Sequence, residues 1–232
     1  MKKIKLAIKT IISTIYPNKC ICCGEIIDEN LYICDSCNKS IERVNLNNIC
    51  LDCGLEKENC SCKYNVYRFN ALISVFKNIG NAQKVCYKFK FSKKQHYAKF
   101  FANEIANAVT KCYNAEDFDL ICSVPSFNSL KYNHSGYLAR EISRLLDIPF
   151  ADTLLVCIKR TKQQHKSNIK ERMSNVYGKY QAKYRIDNKR VLLIDDIKTT
   201  GATIDECTRV LLFAGAESVH CATVLGSHLI KK

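Results

Sequence analysis

Two sets of side chains in this sequence have the types and spacing to do chemistry. The first is a carboxylate pair, Asp195-Asp196, which ends the apolar run Val191-Leu192-Leu193-Ile194 and leads through Ile197-Lys198 into Thr199-Thr200-Gly201-Ala202-Thr203. An apolar run that meets acids and then a small, hydroxyl-rich turn reads as a buried parallel strand delivering a pocket at its carboxyl end. Small side chains from Thr199 to Thr203 let backbone N–H groups approach a phosphate. Gly201 permits a positive φ, and a helix expected over about 203–214 adds its positive dipole end. Like charges repel, so Asp195 and Asp196 do not serve the phosphate itself. They are placed to accept hydrogen bonds from ribose hydroxyls or to hold magnesium through water. A phosphate loop with diol-binding acids implies a sugar carrying a 5-phosphate. Neither GxxxxGK[ST] nor GxGxxG occurs, which disfavours a kinase-like nucleotide hydrolase or a dinucleotide site. The plainer alternative, a solvated turn after a strand, sits poorly with two adjacent acids before Thr-Thr-Gly.

The second set is the crowd of cysteines between positions 20 and 62, more than half of the fifteen in the chain. Cys20-x-x-Cys23-Gly24 and Cys34-x-x-Cys37 are two knuckles. A two-residue gap lets both thiolates face one ion while backbone amides support the sulfurs, and four thiolates complete the closed tetrahedral shell of structural zinc. Cys50-x-x-Cys53-Gly54 and Cys60-x-Cys62 form a second set, whose last pair is one residue short of the usual gap. Cys22, inside the first knuckle, reads as a spectator. Three alternatives stay open: reduced buried cysteines with no ion, an iron–sulfur cluster, and knuckles interleaved between two ions. No open position or neighbouring acid/base accompanies the pattern, so the expected metal is structural.

The elements that must position these groups follow from the rest of the chain. Its 232 residues are 47% apolar and 25% charged, enough to bury a core, and the net charge of +14 favours polyanionic partners. Residues 1–64 are nearly balanced, with nine basic and eight acidic side chains, so the basic excess lies in 65–232. No apolar run is long enough to cross a bilayer, and no secretory signal is expected. Ile4, Ile8, Ile11, Ile12 and Ile15 recur at helical spacing until Pro17. That helix is read as docking on the core, with peripheral attachment to an anionic membrane as the alternative. A cytoplasmic, reducing location is expected.

The composition changes near residues 62–68, giving an expected cysteine-rich domain over 1–64 and a second domain over 65–232. Ala71–Phe76 reads as a strand. The stretch 77–99 holds seven lysines and no acid, with Tyr87, Phe89, Phe91 and Tyr97 interleaved. Such aromatics could stack bases beside phosphate-binding lysines; the plainer reading is a solvated face with its aromatics turned inward. A helix around 97–112 precedes a strand from Phe118 to Val124 that Pro125 ends. A loop through Asn133-His134-Ser135-Gly136 and a helix over about 137–146 follow. Segment 159–190 carries eleven basic residues against Glu171 and Asp187, which suits a loop closing on an anionic ligand or a nucleic-acid contact. Strands alternating with helices from 71 to 225 predict an α/β fold with an open, mostly parallel sheet.

On these motifs the chain resembles a known family. Val191–Thr203 is similar to the phosphoribosyl pyrophosphate (PRPP) motif of type I phosphoribosyltransferases. The whole chain is similar to the ComF family, which joins a cysteine zinc finger to such a domain. The paired Cys-x-x-Cys-Gly pattern matches Cys20–Gly24 and Cys50–Gly54, and the Val-Pro loop matches Val124-Pro125. The Gln…Arg-x-x-Asn-Val segment matches Gln164, Arg172, Asn175 and Val176. The resemblance implies that Asp195 and Asp196 are the catalytic pair at the ribose hydroxyls, that Thr199–Thr203 wrap the 5-phosphate, and that Val124 and Pro125 lie near pyrophosphate. Where the family has Arg-Gly-aromatic-Asn this chain has Leu130-Lys131-Tyr132-Asn133, so Lys131 supplies the charge without arginine's bidentate fork. The implied cofactors are structural zinc and magnesium, with PRPP as substrate or ligand. The implied setting is natural transformation, with single-stranded DNA and the competence machinery as partners. A PRPP-binding sensor, or a DNA-binding protein without turnover, is the other reading.

Overall fold

Among its described residues the amino-terminal part has little regular structure, as expected where cysteine knuckles replace a conventional core. It is seen in a computed structural model that describes residues 17–60, 62, 67–91, 95–127, 133–159 and 176–227. A short helix, α1 (Asp35–Ser40), carries Cys37, and the two-residue strands β1 (Ile49–Cys50) and β2 (Leu55–Glu56) pair antiparallel around the Cys50-x-x-Cys53 turn. The helix read over residues 4–15 lies outside the described residues, as do Lys131, Gln164, Arg172 and Asn175.

The remainder alternates strand and helix. It runs β3 (Ala71–Lys77), α2 (Gly80–Phe91), α3 (Gln95–Cys112), β4 (Leu120–Ser123), α4 (His134–Leu146), β5 (Leu155–Cys157), β6 (Tyr180–Ala182), β7 (Arg190–Lys198), α5 (Ala202–Phe213) and β8 (Ser218–Gly226). Four strands form one parallel sheet in the order β3-β8-β7-β4, as the alternation predicts. β7 is internal, and Val191 to Ile194 are buried on both faces, which is why that strand reads as a continuous apolar run rather than an alternating one. Leu192 and Ile194 join the core under α2, α3 and α4, while Val191 and Leu193 join the core under α5. β5 and β6 form a separate antiparallel pair beside α5.

The cysteine-rich part is built onto the outer edge of β3. Leu72 N–H donates to Leu51 O at 2.6 Å, Ser74 N–H to Gly54 O at 3.2 Å and Lys77 N–H to Glu42 O at 2.8 Å; from the other side Val44 N–H donates to Val75 O at 2.9 Å. Gly54 sits at φ +71, and a Cβ there would lie 2.8 Å from Ser74 Oγ. Ile21, Ile33, Ile41 and Ile49 share a core with Ile73, Phe76 and Phe101.

Three readings change. α2 occupies much of the lysine-rich stretch, burying Ala82, Val85, Cys86 and Phe89 at helical spacing. α4 begins at His134, so His134, Ser135 and Gly136 form its first turn instead of a loop. The second half of segment 159–190 contains β6 and the start of β7 rather than continuous loop.

Candidate functional site

β7 brings the carboxylate pair to its carboxyl end, where β4 also stops. Val124 N–H donates to Ile194 O at 2.9 Å, so buried Val124 and Pro125 lie against the strand just before the acids. The two acids are unequal. Asp195 is 8% exposed, and its Oδ1 accepts Ser135 Oγ–H at 3.0 Å and the Asp196 N–H at 2.9 Å. Burial, reinforced by the charge of Asp196, pushes its carboxyl up to about 7. Asp196 is half-buried, and its Oδ2 meets Lys90 Nζ at 2.9 Å. Burial works against the Lys90 charge, but Asp196 outweighs it and holds the ammonium above its ordinary range. His134, edge-on to Phe89, is held below its ordinary range by burial, with Asp196 opposing.

The turn after β7 is fixed from outside. Tyr67 Oη–H donates to Thr200 O at 3.0 Å. Gly201 takes φ +81 and caps α5, and a Cβ there would press the Tyr67 ring at 3.0 Å. The Asp205 carboxylate accepts the Arg68 N–H at 2.6 Å and pairs with the Arg68 guanidinium. The first intrahelical bond is Asp205 N–H to Gly201 O at 2.9 Å. The preceding amides of α5 therefore converge on the Thr199–Thr203 loop, where an anion is favoured. On the far side Glu206 accepts the Gly178 N–H at 2.8 Å, anchoring the second half of the basic segment to α5.

The cysteines resolve into two groups, Cys20-Cys23-Cys34-Cys37 and Cys50-Cys53-Cys60-Cys62, and the ligand atoms in each lie within 4.8 Å of one another. All fifteen cysteines are free thiols. Tetrahedral zinc–thiolate bonds place sulfurs about 3.8 Å apart. Cys23–Cys34 at 3.7 Å, Cys50–Cys62 at 3.5 Å and Cys53–Cys60 at 3.7 Å approach that spacing, while the one-residue gap draws Cys60 and Cys62 to 2.8 Å. Burial opposes the Cys20 thiolate, but amide donors, led by Cys34 N–H at 3.4 Å, hold it down at about 6. Burial and neighbouring thiols push Cys37 and Cys62 up, a repulsion that a divalent ion relieves. Both donor sets therefore fit a structural zinc ion. Cys22 stays outside the first group, pushed up to about 11 by burial and by Cys20.

Asp195, Asp196, Val124, Pro125, Thr199, Thr200, Gly201, Ala202 and Thr203 thus come together around one strand end; Lys131 lies outside the described residues. Lys198, two residues after Asp196, makes no ion pair with either acid among the described residues and is buried on the side of the second cysteine group. Lys90, Ser135, Tyr67 and Arg68 escaped the sequence reading. Only Lys90 had a signal, since it neighbours the buried positions 86 and 89 of α2.

The chain is similar to known proteins over both parts. The model of the double zinc ribbon domain matches residues 11–65, and that of the phosphoribosyl transferase domain matches residues 133–229. Competence protein F of Haemophilus influenzae is 25% identical over 217 residues, covering 87% of this chain and 93% of that protein. DNA utilization protein YhgH of Salmonella typhimurium is 23% identical over 200 residues, covering 81% and 87%. Competence protein ComFC of Streptococcus pneumoniae is 25% identical over 224 residues, covering 87% and 96%. With its two cysteine groups ahead of a parallel α/β sheet, the chain is similar over most of its length to these competence and DNA-utilization proteins, and its two parts match the double zinc ribbon and phosphoribosyl transferase domain models.

Proposed function

We propose that this chain binds PRPP with magnesium at the end of β7 and acts in DNA uptake, in contact with single-stranded DNA. One observation carries the reading: a carboxylate pair, a small-residue loop and a helix N-terminus converge at the carboxyl end of an internal parallel strand. The loop Thr199–Thr203 and the first turn of α5 would hold the 5-phosphate. Asp196, the more open acid, would accept the ribose hydroxyls, and Asp195, fixed by Ser135, keeps the strand end in register. The hard oxygen donors of Asp195 and Asp196 suit magnesium held through water, and a bound magnesium would neutralise the ligand's pyrophosphate. In a transferase these residues would orient the anomeric carbon for an acceptor, so that positioning does most of the work.

A second reading, a PRPP sensor without turnover, draws on Lys90. Its ion pair with Asp196 would compete with a diol for that carboxylate, which would give two arrangements of the site for a ligand to select between. Contact with DNA is supported by α2. Lys84, Tyr87, Lys88 and Phe91 are exposed along one face of it, and Phe91 is 85% exposed. The name of one relative, DNA utilization protein YhgH, also points to DNA.

Calorimetry tests the binding step. Wild type should bind Mg-PRPP, and Asp196→Asn should weaken it by about tenfold or more. A wild type that does not bind removes both readings. Binding without pyrophosphate release across a panel of bases selects the sensor. Phe91→Ala should weaken single-stranded DNA binding about 5- to 100-fold, and an affinity indifferent to salt would contradict the contact.

A further inference from the structure

Lys198 is the last residue of β7, directly before the Thr199–Thr203 loop, and only 3% of it is exposed. A buried ammonium is costly unless opposite charge surrounds it. No carboxylate forms an ion pair with it among the described residues; Asp196, two residues earlier on the strand, is taken by Lys90 at 2.9 Å. Lys198 pairs on the sheet with Gly226, which packs against Leu55, two residues after Cys53, so its strand end lies where the second cysteine group, Cys50, Cys53, Cys60 and Cys62, meets the sheet. Neutral thiols are weak acceptors and bring no charge. Four thiolates around a divalent ion carry a net charge of about −2, and a single ammonium beside them relieves half of it.

The backbone holds this contact in place. Lys198 pairs with Gly226 of β8, and its carbonyl accepts the Ser227 N–H at 2.9 Å. A Cβ on Gly226 would lie 2.7 Å from Leu55 Cδ2, so the chain just after the Cys50-x-x-Cys53 turn is pressed directly onto the strand ends that carry the loop.

We propose that Lys198 is the buried counter-charge of the metal held by Cys50, Cys53, Cys60 and Cys62, and thereby a positioning residue that ties this metal to the Thr199–Thr203 loop. The proposal rests on the double zinc ribbon and not on PRPP as ligand, and its test uses no PRPP.

The test takes the full, reduced, zinc-loaded chain through competition with a chromophoric chelator. Lys198→Met, close in length but uncharged, should weaken one of the two zinc ions about 10- to 100-fold and leave the other unchanged, as loss of a group supporting metal ligands does. Unchanged affinity at both sites overturns the proposal. The same substitution in a Cys60→Ser/Cys62→Ser background separates charge from packing. There the ammonium has lost its counter-charge, so Lys198→Met should raise the Tm; an equal loss of stability in both backgrounds would make Lys198 a packing residue and end the idea. Hydrogen exchange at residues 199–203 should quicken in Lys198→Met and in Cys60→Ser/Cys62→Ser, with the amides around Cys20 and Cys34 unaffected. Exchange that stays unchanged in the loop would break the tie.

Discussion

Asp195 carries a high electrostatic cost at the centre of the site, because burial and Asp196 together raise its carboxyl to about 7 from an ordinary 3.8. The folded chain keeps a proton there over a range in which the unfolded chain has lost it. Its contribution to stability is therefore full below about pH 4 and falls as the pH rises through about 7. Asp195→Asn keeps an oxygen to accept from Ser135 and from the Asp196 amide. It should be more stable than wild type at pH 8, by on the order of 2 kcal/mol, with no advantage at pH 4. Urea unfolding at the two pH values checks this, and a difference that does not change with pH would contradict it. The acid pair is legible in the sequence as a pair, but its division of labour is not. Ser135 and Lys90 lie 60 and 106 positions away and meet the acids only through the packing of α4 and α2.

At the scale of elements, the seam between the cysteine knuckles and the sheet depends on Gly54. Its φ of +71 and the 2.8 Å approach of a Cβ to Ser74 Oγ leave no room for a side chain, and Ser74 is itself held by Thr223 Oγ1 at 2.8 Å. Gly54→Ala should cost about 2 kcal/mol or more, read as a fall of several degrees in Tm. An unchanged Tm would mean that the seam gives way at no cost. β7 and α5 could be read in advance because the apolar run of β7 and the Gly201 break are local. α2 was obscured by its lysines, although its buried positions 82, 85, 86 and 89 have helical spacing. The start of α4 was hidden because His134-Ser135-Gly136 carries no apolar pattern and is buried only by what it packs against. β5 and β6 are three residues each, too short to show a period.

At the scale of the molecule, both cysteine groups belong to the same core as β3, α2 and α3. Metal and sheet should therefore melt together. Removing zinc under reducing conditions is expected to lower the Tm within a single calorimetric transition; a sheet transition that survives unchanged would show two independent bodies. The seam along β3 has another consequence. An outer strand offers a row of unpaired N–H and C=O groups to any other strand it meets, and proteins protect such strands from pairing with copies of themselves. Here the backbone around Leu51, Gly54, Val44 and Glu42 takes up the open side of β3. At the opposite side Ile121 is bonded to Pro149 and Ala151, so β4 is also covered there. The zinc-binding part thus keeps an otherwise open sheet from recruiting a second sheet, and a chain that lost it would expose a bare, strongly apolar strand.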